Sequence, residues 1–224
     1  MINSNGEKCE VARLIETLRH YQPRVIGINL RLNSDTDTSC NSLLIHSLEK
    51  TNHVVLVEGV DDKLSDENFY KKAFDTGETG LVRYDSRFPV ETYYRLSEYR
   101  GRPSFPFIIA IQYDTAKELQ LRLKTRRGQY PIVSNYRLNE LQTLDPRKID
   151  AKLVKDKIVL IGNLDSTSSN NSLTKFSNGS SFFMNRTVIE GNVILSILKD
   201  LDTPDAKPNK YVEFILREGK KKRK

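Results

Sequence analysis

Polar side chains at the ends of two apolar runs are the residues best placed for binding chemistry. The runs are Arg24–Leu30 and Lys157–Gly162, and their β-branched, non-alternating composition is typical of strands buried on both faces. The polar side chains are Asn29, Arg31, Asn163 and Asp165. Ligands of open α/β folds bind beside the carboxyl ends of parallel strands, so these groups could line a cleft for a small polar or anionic ligand. A solvated loop start explains the same residues equally well.

The start of the last predicted helix supplies a second pair of candidates, Glu190 and Asn192. A helix start presents N–H groups that have no partner within the helix, together with the positive end of the helix dipole. We therefore expect an anionic ligand group to be attracted either to Arg31 or to a helix start.

No segment of the chain assembles a catalytic set. Gly162–Ser166 follows a strand, where phosphates often bind, but it lacks the lysine of a phosphate-binding loop and the spacing of a dinucleotide fingerprint. A glycine that ends the strand so that the chain can turn accounts for this segment. The chain also has no Gly-x-Ser-x-Gly elbow, which would present a nucleophilic serine. We expect no enzymatic activity.

Metal and cofactor sites are not predicted either, and we expect no cofactor. Two acidic pairs fall in predicted loops, where acidic residues are common in turns and caps, and the spacing of a calcium loop is absent. The pairs are Asp35 with Asp37 and Asp61 with Asp62. The histidines do not form the paired spacing of a zinc site. They are His20, His46 and His53.

Cys9 and Cys40 are the only cysteines of the sequence. Two cysteines without CxxC spacing predict neither a zinc site nor a disulfide framework. Both fall at or near predicted helix starts, so a bridge between them stays open. Two buried free thiols, which behave as small apolar side chains, are the simpler expectation.

Most of the net charge of +7 comes from one end of the chain. Five basic residues at the C-terminal end contribute +5 to this net charge, namely Lys220, Lys221, Lys222, Arg223 and Lys224. A basic terminal run is most simply a solvated tail, although it could also touch anionic lipid headgroups. The sequence therefore does not predict nucleic-acid binding.

Hydrophobic periodicity predicts the framework that positions the candidate residues. In chain order it gives a strand remnant at Met1–Ser4, a helix over Cys9–Tyr21, the strand Arg24–Leu30, a helix that ends at Lys50, the strand Val54–Val60, a helix over Phe105–Asp114, the strand Lys157–Gly162 and a helix over Val188–Leu201. Strands that alternate with helices predict an α/β fold, here a mainly parallel central sheet with helices on both faces in three layers.

The middle of the chain is irregular, and we expect an insert of short elements there. Short strands are predicted at Leu81–Asp85, Leu119–Lys124 and Tyr130–Ser134. A mobile loop is predicted for Asn163–Ser181, which is rich in Ser, Asn, Thr and Gly. The triplet Asn185-Arg186-Thr187 matches an N-glycosylation acceptor, but polar composition alone explains such a match.

Six segments carry a recurring pattern in a fixed order. They are Pro23–Asn29 (P-x-V-I-G-hydrophobic-D), Val54–Leu56 (V-V-L), Pro103–Phe107 (P-S-F-hydrophobic), Asn135–Arg137 (N-Y-R/G), Lys157–Gly162 (K-I-V-L-I-G) and Arg186–Asn192 (G-V-x-I-H-A-N). No single segment is diagnostic, but their order across residues 8–201 resembles the second class of extracytoplasmic CHASE sensory domains. Several positions depart from that pattern. Asn29 replaces the usual Asp, Arg186 the usual Gly and Glu190 the usual His, so this chain could bind a different ligand or none.

The resemblance implies a non-catalytic, ligand-sensing input domain of a bacterial membrane receptor, located outside the cytoplasm in the periplasm or at the cell surface. It further implies flanking membrane helices and a homodimer formed through the parent receptor. A ligand would act by favouring one of two arrangements of the domain. On this interpretation residues 1–208 form a single sensory domain whose first strand is truncated, and residues 209–224 form a basic tail.

Two other functions stay open from the sequence. One is a protein-interaction module in which the cleft binds nothing. The other is an α/β enzyme that acts on phosphates or esters, although the missing pair of nucleophile and base disfavours it.

Overall fold

Strands and helices alternate along the chain. The structure is a computed structural model that describes residues 1–4, 7–30, 32, 38–59, 78–82, 93–95, 104–117, 131–133, 141–164, 171–175 and 181–202. In chain order the elements are β1 (Ile2–Asn3), α1 (Lys8–Tyr21), β2 (Val25–Asn29), α2 (Thr38–Glu49), β3 (Val54–Gly59), β4 (Glu78–Val82), β5 (Tyr93–Arg95), α3 (Phe105–Tyr113), β6 (Pro131–Val133), α4 (Ala151–Val154), β7 (Ile158–Gly162), β8 (Asn171–Lys175), β9 (Ser181–Asn185) and α5 (Arg186–Asp202).

The central sheet has the strand order β1-β7-β2-β3-β4, and every neighbouring pair runs parallel. β7 therefore lies between the first two strands of the chain. The last residues of three strands lie side by side, because Gly162 pairs with both Asn3 and Asn29. The predicted parallel sheet is confirmed.

Alternate residues of each strand face opposite layers of helices, as a period of two requires. Ile26 and Ile28 of β2 face α1 and α2, whereas Val25 faces α3 and α5. The core under α1 and α2 contains Val11, Leu14, Ile15, Leu18, Leu44 and Leu48 from the helices and Val54, Leu56, Val159 and Ile161 from the other strands. The opposite core packs Phe105, Ile108, Ile109 and Ile194 against Val25, Val55 and Leu160. The predicted three-layer arrangement is therefore confirmed.

Helix α3 runs antiparallel to the strands, with its N-terminus toward their carboxyl ends. Phe105, its first residue, lies over Gly27, and its ring atom Cζ is 3.1 Å from where a Cβ on that glycine would stand. Tyr113, its last residue, lies beside Arg24 at the opposite edge, with the guanidinium carbon 5.2 Å from the ring centroid.

Helix α5 runs beside α3 in the same direction, and the two helices pack against each other. Thr187, in the first turn of α5, lies against Gly162 at the end of β7. Gly191, one turn later, lies near Leu160, which comes earlier in the same strand. Both helices therefore begin at the carboxyl edge of the sheet.

Two expectations about local structure are wrong. Part of the predicted loop Asn163–Ser181 forms strand β8, because it pairs antiparallel with β9, whose Phe182 and Phe183 are strong strand formers. The pairing partner, not the polar composition, decides the structure there. Helix α5 also begins at Arg186 and not at Val188, because Asn185 caps it.

The middle of the chain contains the short elements expected of it. Strand β4 begins at Glu78, three residues before the predicted Leu81–Asp85, and pairs with β3. Strand β6 lies within the predicted Tyr130–Ser134 and pairs antiparallel with β5, apart from the central sheet. The predicted strand Leu119–Lys124 lies outside the described residues.

Candidate functional site

The carboxyl ends of β7 and β2 form a topological switch point. The chain leaves β1 and β2 toward α1 and α2 on one face of the sheet, whereas after β7 it continues through β8 and β9 to α5 on the other face. Neighbouring strands whose connections diverge in this way open a crevice at the carboxyl edge, which is where open α/β folds bind ligands. Asn29 of β2 and Gly162 of β7 are direct neighbours at this point.

A network of asparagines and one threonine joins the segments that meet here. Asn29 Nδ2 donates to Thr187 Oγ1 at 3.2 Å, and the Thr187 backbone N–H donates to Asn185 Oδ1 at 2.8 Å. Asn185 Nδ2 in turn donates to the carbonyl oxygen of Asn163. Asn3 Oδ1, at the end of β1, accepts from the backbone N–H that follows Asn163, at 2.8 Å. We call these five residues, Asn3, Asn29, Asn163, Asn185 and Thr187, the carboxyl-edge network.

Gly162 allows α5 to approach the sheet. A Cβ at Gly162 would stand 2.1 Å from Thr187 Oγ1 and 2.9 Å from Thr187 Cβ, so no larger residue fits without displacing the helix. The glycine is therefore required by helix packing, in addition to the turn that the sequence suggested. This close approach brings the Thr187 hydroxyl within reach of Asn29.

The structure brings two of the predicted site residues together. Asn29 and Asn163 both belong to the carboxyl-edge network, and both side chains are partly exposed. Arg31 and Asp165 follow these residues in the sequence and lie outside the described residues. Their role stays a prediction.

The second pair of candidates lies deeper in the molecule. Glu190 is fully buried, and Asn192 is 1% exposed. Asn192 Nδ2 donates to the carbonyl oxygen of Val188 in its own helix at 2.8 Å. This bond ties the Asn192 carboxamide back to the first turn of α5.

Three members of the network were missed from the sequence, namely Asn3, Asn185 and Thr187. A signal was available for Asn185, because an asparagine directly before an apolar-periodic helix is a typical N-cap. That signal was masked by the match of Asn185-Arg186-Thr187 to a glycosylation acceptor. Asn3 gave no signal, since its role depends on strand β7 lying beside β1.

A disulfide bond joins Cys9 to Cys40 at the same edge of the sheet, with a Cα–Cα distance of 4.8 Å. The expectation of two free thiols is therefore wrong. Because α1 and α2 both follow strands that end at the carboxyl edge and then pack side by side, their first turns meet there. Lys8, which is 3% exposed, reinforces the junction by donating from Nζ to Asn41 Oδ1 at 2.7 Å.

The described part of the chain contains neither a cluster of metal ligands nor a membrane-spanning helix. Within it, no three His, Cys, Asp or Glu side chains come together as metal ligands would. No helix in the same residues has the length and apolar character that a membrane span requires.

Comparison with known proteins identifies the family. The family model of the CHASE2 domain matches residues 7–216. This chain belongs to the CHASE2 family. CHASE2 domains are extracytoplasmic sensory domains of signal-transducing receptors. No curated protein and no solved structure matches the chain.

Three segments that resemble the CHASE2 pattern meet at the carboxyl-edge network. Pro23–Asn29 ends with β2, Lys157–Gly162 ends with β7, and Arg186–Asn192 begins α5. Their end residues Asn29 and Gly162 pair in the sheet, and Thr187 contacts both of them. The CHASE2 pattern in this chain therefore includes the residues that build one edge of the sheet.

Proposed function

We propose that this CHASE2 domain is the non-catalytic input domain of a bacterial transmembrane receptor and that it binds a small polar ligand at the carboxyl-edge network. The receptor would carry the domain outside the cytoplasm, between membrane helices, and would form a homodimer. Ligand binding would favour one arrangement of the domain, and a ligand signals only if it binds the two arrangements with different affinity.

The convergence of polar side chains at the switch point is the observation that carries this proposal. Crevices of this kind are the usual ligand sites of open α/β sheets. Here the switch point holds the partly exposed carboxamide of Asn29, with the buried Asn185 and Thr187 behind it. Such groups both donate and accept hydrogen bonds, so they suit a polar ligand better than an apolar one.

The disulfide bond supports the extracytoplasmic location. Disulfides form and persist in oxidising compartments and are rare in the cytosol of most organisms. The Cys9–Cys40 bond therefore agrees with the location of the CHASE2 family. Its position between the first turns of α1 and α2 also holds in place the helices that lead away from the proposed site.

The network favours binding over catalysis. Its side chains are carboxamides and a hydroxyl, and none of them is a general base at neutral pH. Activation of a nucleophile requires such a base within hydrogen-bond reach. The Thr187 hydroxyl is bonded instead to the carboxamide of Asn29, an arrangement that positions groups without activating them.

Thermal-shift screening of small polar compounds and anions tests the proposal. We expect at least one compound to raise the Tm of the wild-type domain. We expect Asn29→Ala and Arg31→Ala to weaken binding about tenfold or more, the loss that follows when a ligand hydrogen bond to a polar or charged group is removed.

Matched controls come from the opposite edge of the sheet and from an exposed surface. Asn52→Ala removes an exposed carboxamide beside the start of β3, and Arg147→Ala removes an exposed guanidinium from another part of the surface. Both variants should keep the full shift. The proposal is wrong if no compound stabilises the wild type, or if the site variants and the control variants respond equally.

A further inference from the structure

Helix α3 begins with a polar side chain that has no hydrogen-bond partner among the residues that the structure describes. Ser104 occupies the N-cap position of this nine-residue helix, with φ −74° and ψ 153°, but its side chain makes no capping bond. Its hydroxyl oxygen has no hydrogen-bond partner, and the residue is only 4% exposed. A buried polar group without a partner costs free energy unless water, an ion or a ligand satisfies it.

Three other N-cap residues in the described part of the chain bond to their own helices, whereas the side chain of Glu7, the N-cap of α1, does not. Asn185, Asp145 and Asp150 each accept from a first-turn N–H. The donors are Thr187 at 2.8 Å, Arg147 at 2.9 Å and Lys152 at 3.0 Å. Ser104 belongs to a residue type that is as good an N-cap as these, so the missing bond is a property of this site and not of serine.

The helix end at Ser104 favours an acceptor that carries negative charge. The first-turn N–H groups of a helix have no intrahelical partner, and the helix dipole places a partial positive charge there. Phe105 and Phe107 are both buried, which limits how well water can reach their N–H groups. Pro106 between them has no N–H at all.

This helix end points toward the same edge of the sheet as the carboxyl-edge network. Phe105 sits over Gly27, and Asn29 is two residues further along the same strand and on the same face. Thr187, to which Asn29 is bonded, lies in the first turn of the neighbouring helix α5. The starts of two parallel helices therefore flank the carboxyl end of β2 on one face of the sheet.

We propose that the α3 N-terminus binds an anionic oxygen group of the sensed ligand, a carboxylate or a phosphate, and that the Ser104 hydroxyl donates a hydrogen bond to it. The inference rests on the proposed function and adds the chemical class of the ligand. In the bound state the anion satisfies the Ser104 hydroxyl and the orphan N–H groups together. The polar remainder of the ligand extends toward Asn29.

Ser104→Ala and a matched serine variant test the inference. Ser47, in the middle of α2 on the other face, also has a fully buried hydroxyl oxygen without a hydrogen-bond partner. The measurement is the Tm of wild type, Ser104→Ala and Ser47→Ala in phosphate, sulfate and acetate, each compared with chloride at equal ionic strength. We expect at least one oxyanion to raise the Tm of wild type and of Ser47→Ala equally, and this rise to vanish in Ser104→Ala.

The backbone amides supply a second measurement. In ¹⁵N-labelled protein, the N–H signals of Phe105 and Phe107 should shift in a saturable way as the stabilising oxyanion is added. The same signals should stay constant in Ser104→Ala. Comparison of phosphate with acetate shows which oxyanion the site prefers.

Two results would overturn the inference. In the first, Ser104→Ala lowers the Tm equally in all buffers and keeps the oxyanion shift, which would mean that the hydroxyl contributes to stability but does not contact the anion. In the second, no oxyanion stabilises the wild type, but a neutral compound binds in a way that depends on Asn29. The proposed function would then hold, and the proposed anion site at Ser104 would be wrong. If oxyanion binding depends on Ser104 but no screened compound depends on Asn29, the inference stands and the proposed network site is wrong.

Discussion

The two helical layers of this domain are built differently. The layer of α1 and α2 packs aliphatic side chains against the even-numbered residues of β2 and is closed by the Cys9–Cys40 bond. The layer of α3 and α5 lies on glycines, namely Gly27 under α3 and Gly162 under α5. Both layers contain buried polar residues: Lys8 and Ser47 belong to the α1/α2 layer, and Ser104, Thr187, Glu190 and Asn192 belong to the layer beside the carboxyl-edge network.

This difference suggests that the two layers have different roles. Aliphatic packing and a covalent bond stabilise a single arrangement, whereas buried polar groups cost free energy unless each is satisfied. The α3/α5 layer can change its stability when a ligand supplies a hydrogen-bond partner for the Ser104 hydroxyl. We therefore expect α1 and α2 to supply stability and α3 with α5 to supply the response, and four variants test this division.

Removal of the disulfide should have the largest effect on stability. Replacing both cysteines, as Cys9→Ser with Cys40→Ser, frees a chain segment with a sequence separation of 31 residues in the unfolded state. For a loop of this length we expect the free energy of unfolding to fall by about 3–4 kcal/mol. Denaturant titration of the double variant and of oxidised wild type measures the difference.

Wild type treated with a dithiol reductant is the control for the disulfide variant and should be destabilised to a similar extent. A loss below about 1 kcal/mol, no more than a typical point mutation causes, would contradict the assignment of stability to the α1/α2 layer.

Gly162→Ala should have the next largest effect on stability, and it acts on the α3/α5 layer. The new Cβ would overlap Thr187 at the start of α5, so either the helix or the strand must shift. Overpacking of this kind destabilises by about 2–3 kcal/mol. Thermal unfolding of the variant measures the loss, and the hydrogen bond from Asn29 to Thr187 should weaken with it.

A second substitution shows whether Thr187 causes the Gly162→Ala defect. Combining Gly162→Ala with Thr187→Ala removes Oγ1 and Cγ2, which are two of the three atoms in the overlap. The double variant should be less unstable than the sum of the single variants. Strict additivity would mean that the cost arises elsewhere.

Asn29→Ala should have a moderate effect on the ligand-free domain. It removes the hydrogen bond to Thr187 Oγ1, and we expect a loss of about 1 kcal/mol. Asn52→Ala, which removes an exposed carboxamide, should leave the Tm unchanged within error. If the two variants are equally stable, the hydrogen bond from Asn29 does not help to join β2 to α5. The proposed connection between the α3/α5 layer and the sheet would then be wrong.

Arg24→Ala should have the smallest effect. The Arg24 guanidinium stacks over Tyr113 at the far end of α3, and an exposed contact of this kind contributes about 0.5 kcal/mol. The variant should leave any oxyanion or ligand shift intact, because it lies at the edge opposite the network. A change in ligand affinity would mean that the two ends of α3 are coupled.

Local pattern was sufficient to predict the framework of the sheet. Strands β2, β3 and β7 are continuous β-branched runs, and α1 repeats Val11, Leu14, Ile15 and Leu18 on one face, so each was predictable from a short window. The hairpin of β8 and β9 was not predictable in this way, because the polar segment Asn171–Lys175 becomes a strand only beside Phe182 and Phe183.

The candidate site was predictable only in part, for a similar reason. Asn29 and Asn163 could be named because strand ends are visible in the sequence. Thr187 could not, since its role depends on the absence of a side chain at Gly162, which lies 25 residues earlier. The disulfide likewise depends on the side-by-side packing of α1 and α2, which a pattern in either helix alone does not reveal.

The direction of α5 has a mechanical consequence. A helix of 17 residues is about 25 Å long and resists bending, so it moves as a rigid rod. Thr187 at one end contacts the sheet beside Asn29, and Asp202 marks the other end. A displacement of its first turn would therefore be carried along the helix to Asp202, about 25 Å away.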